Sequence, residues 1–220
     1  MLFLYPEKAY LGRKIPKSAF YQNVAPTPTQ RELMTQQLER ITWLYKLSPS
    51  TINIDESDQV PEIQVFQLAL KPGVEVVDER LLQYLDRAIP SRLLFETIQG
   101  KNIQSVACYK QYSASNSVTT SAYLYGKKKQ DDTERQSLPV SRNFEHLYEQ
   151  LVASLLPYPK RKKETILEAI ARCKAIKRLA TDMVRLERQV RNKNLQFNKR
   201  TEINRKLKEV KAKYNALLNG

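Results

Sequence analysis

The sequence predicts an α+β domain at residues 1–156, with a mixed or antiparallel sheet and helices on one face, followed by a basic antiparallel helical hairpin (coiled coil) at residues 157–220. Three observations support this prediction. Before residue 156, alternating and β-branched segments are interleaved with amphipathic ones, which is typical of α+β domains. After residue 157, apolar residues recur every three or four positions, as on one side of a helix. Pro157 and Pro159 mark the joint between the two parts.

The first 40 residues predict an extended arm and one helix. Residues 1–29 are rich in proline and tyrosine, and proline disfavours helix before it, so we expect an arm or strand packed by its aromatic rings. Thr29 and Glu32 have the spacing of a capping box. They predict a helix from Thr29 to about Arg40.

The remainder of the first part predicts strands and two further helices. Asp78 precedes an amphipathic segment that ends at Pro90, so we expect it to be the N-cap of a helix. A second helix is expected at residues 141–156, and residues 127–135, charged in both senses, are expected to form a loop. Strands are predicted at residues 41–47, 51–54, 62–68, 92–98, 103–109 and 118–125.

Two apolar seams occur in the last part of the chain, and their offset predicts a hairpin. The thirteen residues between the seams would place them about 220° apart around one straight helix, so a single rod would carry two unrelated stripes. A reversal within residues 192–198 would pack the seams against each other. A single long helix is the alternative, because this turn lacks glycine and proline. The seams are Ile176, Leu179, Met183, Leu186 and Val190, and Ile203, Leu207, Val210, Tyr214 and Leu217.

Positive charge is concentrated in the same part of the chain. Residues 157–220 contain 19 Lys and Arg and 6 Asp and Glu, a net charge of +13 out of +14 for the whole chain. A helix surface that faced only water would usually mix the two signs. The imbalance therefore predicts contact with a polyanion, DNA or RNA. The predicted nucleic-acid-binding residues are Lys160, Arg161, Lys162, Lys163, Lys177, Arg178, Arg185, Arg188, Arg191, Lys193, Lys199 and Arg200.

Short motifs spread over nearly the whole chain resemble those of the prokaryotic domain-of-unknown-function family 4391. The resemblance implies genes placed beside helicases and DNA methyltransferases in restriction or phage-defence systems, and it implies no catalytic residue. The motifs are Ile15-Pro16-Lys17 with Phe20-Tyr21, Tyr45-Lys46-Leu47-Ser48-Pro49 with Thr51-Ile52, Glu62-Ile63-Gln64-Val65, Asp86 with Ile89-Pro90, Tyr109-Lys110, and Gln196-Phe197-Asn198-Lys199-Arg200 with Glu202-Ile203-Asn204.

These features together favour a non-catalytic accessory subunit whose hairpin binds nucleic acid, a helicase partner, or both. One alternative is a metal-dependent nuclease that uses Asp55, Asp58 and Glu62. Such enzymes usually place a lysine two residues after the second acid, where this chain has Gln64. A further alternative is a coiled-coil adaptor that binds only protein.

Other functional classes find no support in the sequence. The glycines form no phosphate-binding or dinucleotide-binding pattern, and we expect no cofactor and no metal. Cys108 and Cys173 lie far apart with no paired spacing, which favours a reducing compartment. We find no apolar stretch long enough for a membrane span and no signal peptide, so a cytoplasmic location is expected.

Overall fold

The structure is a computed structural model that describes residues 1–55, 57–112, 118–192 and 196–219. Its internal contacts divide the chain into two compact units, Met1–Leu156 and Pro157–Gly220. Among the described residues, the first unit holds all of the strands, four α-helices and one short 3₁₀ helix (Glu7–Ala9), and the second holds two α-helices. The predicted α+β class with a C-terminal helical pair is confirmed.

Six α-helices are described. The first four belong to the first unit and the last two form most of the second. They are α1 (Lys17–Asn23), α2 (Pro28–Gln37), α3 (Glu79–Ala88), α4 (Phe144–Ala153), α5 (Ile166–Val190) and α6 (Phe197–Asn219).

Seven strands of the first unit form one mixed sheet. The strands of the unit are β1 (Phe3–Leu4), β2 (Tyr10–Ile15), β3 (Leu38–Leu47), β4 (Ile63–Leu70), β5 (Arg92–Gln99), β6 (Asn102–Ala107), β7 (Lys110–Tyr112), β8 (Val118–Thr120), β9 (Leu124–Tyr125), β10 (Lys129–Gln130) and β11 (Gln136–Ser137). The order in the mixed sheet is β10-β6-β5-β4-β3-β2, with β9 also paired to β6. Within this sheet only β4 and β5 are parallel, and α3 provides the crossover that a parallel pair requires.

The main apolar core lies between α1–α3 and one face of this sheet. Phe66 on β4 and Phe95 on β5 point to that face, where Leu81 and Leu85 of α3 are also buried. Successive strand residues face opposite sides, so Val65 and Leu94 lie on the other face, and both are buried too. Strand β4 is therefore covered on both faces, and Gln64 is buried in it although the sequence of this strand is not a continuous apolar run.

Helix α3 begins as predicted, with Asp78 as its N-cap accepting a hydrogen bond from the Arg80 amide at 2.9 Å. Its other end is held by Lys110. The Nζ atom of Lys110 donates to the carbonyl oxygens of Asp86 and Ile89, both at 2.6 Å, and of Ser91 at 3.0 Å. A cation at this end also interacts favourably with the helix dipole.

The Lys110 side chain is completely buried, and its single acidic neighbour among the described ion pairs is Asp86, at 3.8 Å. Burial lowers the pKa of Lys110 and raises that of Asp86, while each charge partly offsets the effect on the other. The Asp86 carboxylate also accepts hydrogen bonds from the Tyr123 hydroxyl and from the Cys108 thiol at 3.4 Å. This buried network joins α3 to β7, to the residue after β6 and to the residue before β9.

The amino-terminal prediction of an extended arm was partly wrong, because α1 was not expected there. Pro16 is extended and sits at the N-cap, a position that requires no helical amide donor. The capping box of α2 is formed by Thr27 and Gln30, two residues earlier than predicted. Pro28 then occupies the first helical position, where its missing amide costs nothing.

Two predicted strands and one predicted loop also differ from the structure. Residues 51–54 form a turn, in which the Thr51 hydroxyl donates to the carbonyl oxygens of Lys46 and Ser48. The expected strand at residues 118–125 is split between β8 and β9. The expected loop at residues 127–135 contains β10, which pairs with β6 at the sheet edge.

In the second unit, α5 and α6 pack side by side and run antiparallel. Near the turn, Arg200 Nη2 donates to the Asn192 carbonyl at 3.2 Å. Arg161 lies just before α5, and its Nη2 atom donates to the carbonyl oxygen of Leu217, near the C-terminal end of α6, at 2.6 Å. Residues 193–195 of the predicted turn lie outside the described part of the chain. The helical hairpin is thus favoured over the single rod.

The predicted α6 seam coincides with the less exposed side of that helix. Ile203, Leu207, Val210, Tyr214 and Leu217 are all half-buried, whereas nearly all the remaining α6 side chains are exposed. On α5, Ile176 and Leu186 are buried, and Leu179 and Met183 are half-buried. Burial therefore follows the three- and four-residue spacing of the sequence.

The start of α5 is secured by a capping box and an ion pair. Thr165 caps the helix with Glu168 as its reciprocal partner. Just before the cap, Glu164 forms a bidentate pair with Arg172 at 2.7 and 2.9 Å. These hydrogen bonds, with one from the Arg161 amide, lower the pKa of Glu164 to about 2.

We predict that Lys110→Met lowers the free energy of unfolding by about 3–5 kcal/mol, because it leaves the buried Asp86 and three carbonyl groups without their cation. Urea denaturation of the full chain measures this loss. Lys101→Met, at an exposed lysine of the same unit, is the control and should change stability by less than about 0.5 kcal/mol. Equal stability of the two variants would contradict the structural role of Lys110.

We predict that the stabilising effect of Glu164 depends on pH. Its pKa is lower in the folded state than its ordinary value of 4.5, so its contribution is present above that value and is lost as the pH falls towards 2. The melting temperature of Glu164→Gln should therefore lie below that of the native protein at about pH 6, and the gap should narrow between about pH 5 and pH 3. A gap that is constant over this range would refute the prediction.

Candidate nucleic-acid interface

The packing of α5 against α6 determines which side of α5 faces outward. At about 100° per residue, five basic residues of α5 fall within an arc of about 100°, on the side opposite Leu179, Met183 and Leu186. All five are exposed. We call this set the α5 ridge: Lys174, Lys177, Arg178, Arg185 and Arg188.

The α5 ridge contains no acidic residue. Between residues 174 and 190 the only acids are Asp182 and Glu187. Asp182 flanks the ridge and pairs with Arg185 at 2.8 Å, and Glu187 pairs with Lys211 of α6 at 2.8 Å. The other four ridge residues form no ion pair with any residue within the described ranges. Most of the ridge charge is therefore uncompensated locally.

The dimensions of the α5 ridge suit an extended polyanion. From Lys174 to Arg188 the helix rises by about 21 Å, at 1.5 Å per residue. Double-stranded DNA carries one phosphate about every 3.4 Å along each strand, so the ridge spans several phosphates. Long flexible Lys and Arg side chains can reach phosphates on either side of the helix axis. A straight row of this kind binds backbone charge without reading bases.

Basic residues on α6 do not form a comparable row. They are distributed around the helix, and two acids are interspersed with them. Glu202 pairs with Lys206 at 2.6 Å, and Glu209 lies 4.0 Å from Arg205. The two helices thus differ in charge organisation although both are basic.

The structure places four of the twelve predicted binding residues on the α5 ridge: Lys177, Arg178, Arg185 and Arg188. Lys162, Lys163, Arg191 and Lys199 are exposed but lie outside it. Lys193 lies outside the described residues.

The remaining three predicted binding residues make contacts with backbone carbonyl groups. Lys160 donates to the Glu164 carbonyl at 2.6 Å, and Arg161 and Arg200 donate to those of Leu217 and Asn192. Arg161 and Arg200 are half-buried, so much of their donor capacity supports the hairpin. Lys160 is exposed.

One ridge residue, Lys174, belongs to the same basic run of the sequence but was not among the twelve predicted binding residues. Lys174 precedes Lys177 by three residues and Arg178 by four, which is the spacing of neighbours on one helical face. That spacing was a usable signal. Arg172, two residues earlier, is basic but buried, because it lies on the seam side of α5 and pairs with Glu164.

The carboxylates of the nuclease alternative do not form a metal site in the described part of the chain. Glu62 accepts hydrogen bonds from Lys46 at 2.8 Å, Ser91 at 2.6 Å and Gln64. Burial alone would raise the pKa of Glu62, but these bonds outweigh it and lower that pKa. Asp58 is exposed. Within the described ranges, no three His, Cys, Asp or Glu side chains are arranged to hold a metal ion.

Across the described part of the chain, no helix combines the length and the apolar character that crossing a bilayer needs.

Comparison with known proteins identifies the family. No curated protein and no solved structure matched the chain. A family model described as a domain of unknown function (DUF4391) matches residues 3–213, which include both units almost completely. The chain therefore belongs to the DUF4391 family.

Proposed function

We propose that this protein binds nucleic acid through the α5 ridge and acts as a non-catalytic accessory subunit. One observation carries the proposal: five cations form an acid-free outward row on a helix whose opposite side is occupied by the seam. An ordinary solvated helix would mix charges, as α6 does. The row instead presents basic side chains in two groups, at residues 174–178 and 185–188, with the exposed Thr181 between them.

Binding of this kind is electrostatic. Each Lys or Arg that neutralises a phosphate releases condensed counterions, so affinity falls steeply as salt rises, with a log–log slope of about −0.9 per phosphate on duplex DNA. Contacts to phosphate position a protein without specifying sequence. The proposed activity is therefore retention on DNA or RNA, with selectivity supplied by other subunits.

The partners that we propose rest on the resemblance described in the sequence analysis. Genes placed beside helicases and DNA methyltransferases, which the resemblance implies, favour a place in a restriction or phage-defence complex. The near-neutral first unit, with 18 basic and 17 acidic residues in positions 1–156, is suited to docking on protein rather than on phosphate. In this proposal the second unit holds nucleic acid while the first holds the helicase or the methyltransferase.

We predict that Lys177→Glu/Arg188→Glu abolishes most DNA retention at low salt and reduces the magnitude of the salt slope by about 2, because at least two phosphate contacts are lost. Both residues are exposed, and neither has an ion-pair partner within the described ranges. Fluorescence anisotropy with a labelled duplex, titrated with salt, measures both quantities.

The matched control is Lys208→Glu/Lys213→Glu. It changes the net charge by the same amount at two exposed α6 positions that share no common face. The DNA affinity of this control should remain much closer to that of the native protein than the affinity of Lys177→Glu/Arg188→Glu does. An equal loss of DNA affinity in both variants would show that only net charge matters and would contradict binding at the α5 ridge. If the protein is instead an adaptor that binds only protein, it should not be retained on DNA, and its binding to the partner should be insensitive to salt.

A further inference from the structure

The first residue of α6 exposes an aromatic ring to solvent. Phe197 is 81% exposed, more than any other aromatic side chain among the described exposed hydrophobic residues. It lies about 120° around α6 from the Ile203 seam position, so it does not join the packing between the helices. Within the described ranges it stacks on no other aromatic ring. The ring is thus available to a ligand.

The segment of sequence that contains this ring is basic. The sequence from Arg188 to Thr201 contains five Lys or Arg residues and no Asp or Glu. Arg191 and Lys199 are exposed on either side of the turn. Arg200 donates to the Asn192 carbonyl and so links the start of α6 to the end of α5. This link holds the ring at the tip of the hairpin, where the α5 ridge ends.

An exposed ring in a basic segment matches the chemistry of an unpaired nucleotide. Bases stack on aromatic side chains, and the adjoining phosphates are attracted to Lys and Arg. In an intact duplex the base faces are already stacked on one another and are not accessible. Stacking on Phe197 would therefore contribute much less to the affinity for a duplex than to the affinity for single-stranded nucleic acid.

We infer that Phe197 stacks on an unpaired base, while the basic residues of the hairpin tip and of the α5 ridge attract the phosphates of the same strand. The inference rests on the proposed function, since the α5 ridge supplies the general attraction. It adds a preference for single strands or for junctions between single and double strands.

The test compares two probes on the full chain at one low salt concentration. The probes are a single strand of about 20 nucleotides carrying 2-aminopurine and the duplex of the same sequence. Phe197→Ala should weaken single-strand binding by about 10-fold, change duplex binding by less than about 2-fold, and remove the quenching of 2-aminopurine that stacking produces. Phe197→Trp should keep the native behaviour. Val184→Ala, at an apolar α5 residue that is 67% exposed, is the control and should change neither.

The outcomes separate this inference from the proposed function. If Phe197→Ala leaves single-strand binding unchanged while Lys177→Glu/Arg188→Glu still removes duplex binding, only the stacking inference fails. If the native protein binds neither probe, both fail. Loss of a co-purifying protein in Phe197→Ala, with single-strand binding intact, would assign the ring to a protein contact and would also overturn the inference.

Discussion

The apolar seam between α5 and α6 is the constraint on which the arrangement of charge depends. Seam residues such as Leu186 and Leu207 must face each other to leave water, which is worth about 25 cal/mol per Å² of apolar surface. Because that side of α5 packs against α6, the exposed basic residues of α5 lie on its outer side. Because Lys174, Lys177 and Arg188 recur with helical spacing, they fall in one row there. The same hydrophobic contact that folds the hairpin therefore builds the α5 ridge.

Several cations of the first unit make structural contacts instead. Lys110 directs its three donors at carbonyl groups near the end of α3. Arg135 forms a bidentate pair with Glu96, which is 1% exposed, and Lys46 pairs with Glu62. In the second unit Arg161, Arg172 and Arg200 also make structural contacts. The exposed row of the α5 ridge differs from all of these, because only Arg185 of its five residues forms an ion pair within the described ranges.

Features of the fold that depend on short-range interactions were predicted from local patterns in the sequence. The N-cap at Asp78, the strand at β4 and the two seams each follow from spacing within about ten residues. Helix α1 and the exact cap at Thr27 were missed, because proline there both ends one segment and begins the next. Long-range contacts could not be predicted. Neither the burial of Arg172 against Glu164 nor the pairing of Lys46 with Glu62 has a signature that distinguishes it from exposed charge.

The central claim is that nucleic acid contacts the outer side of α5. Ultraviolet cross-linking of the full chain to DNA, followed by mass spectrometry of the cross-linked peptides, tests it most directly. The account predicts that cross-links map to α5 between Lys174 and Arg188, and to the hairpin tip when the DNA is single-stranded. Cross-links confined to residues 1–156, or distributed evenly around α6, would contradict it.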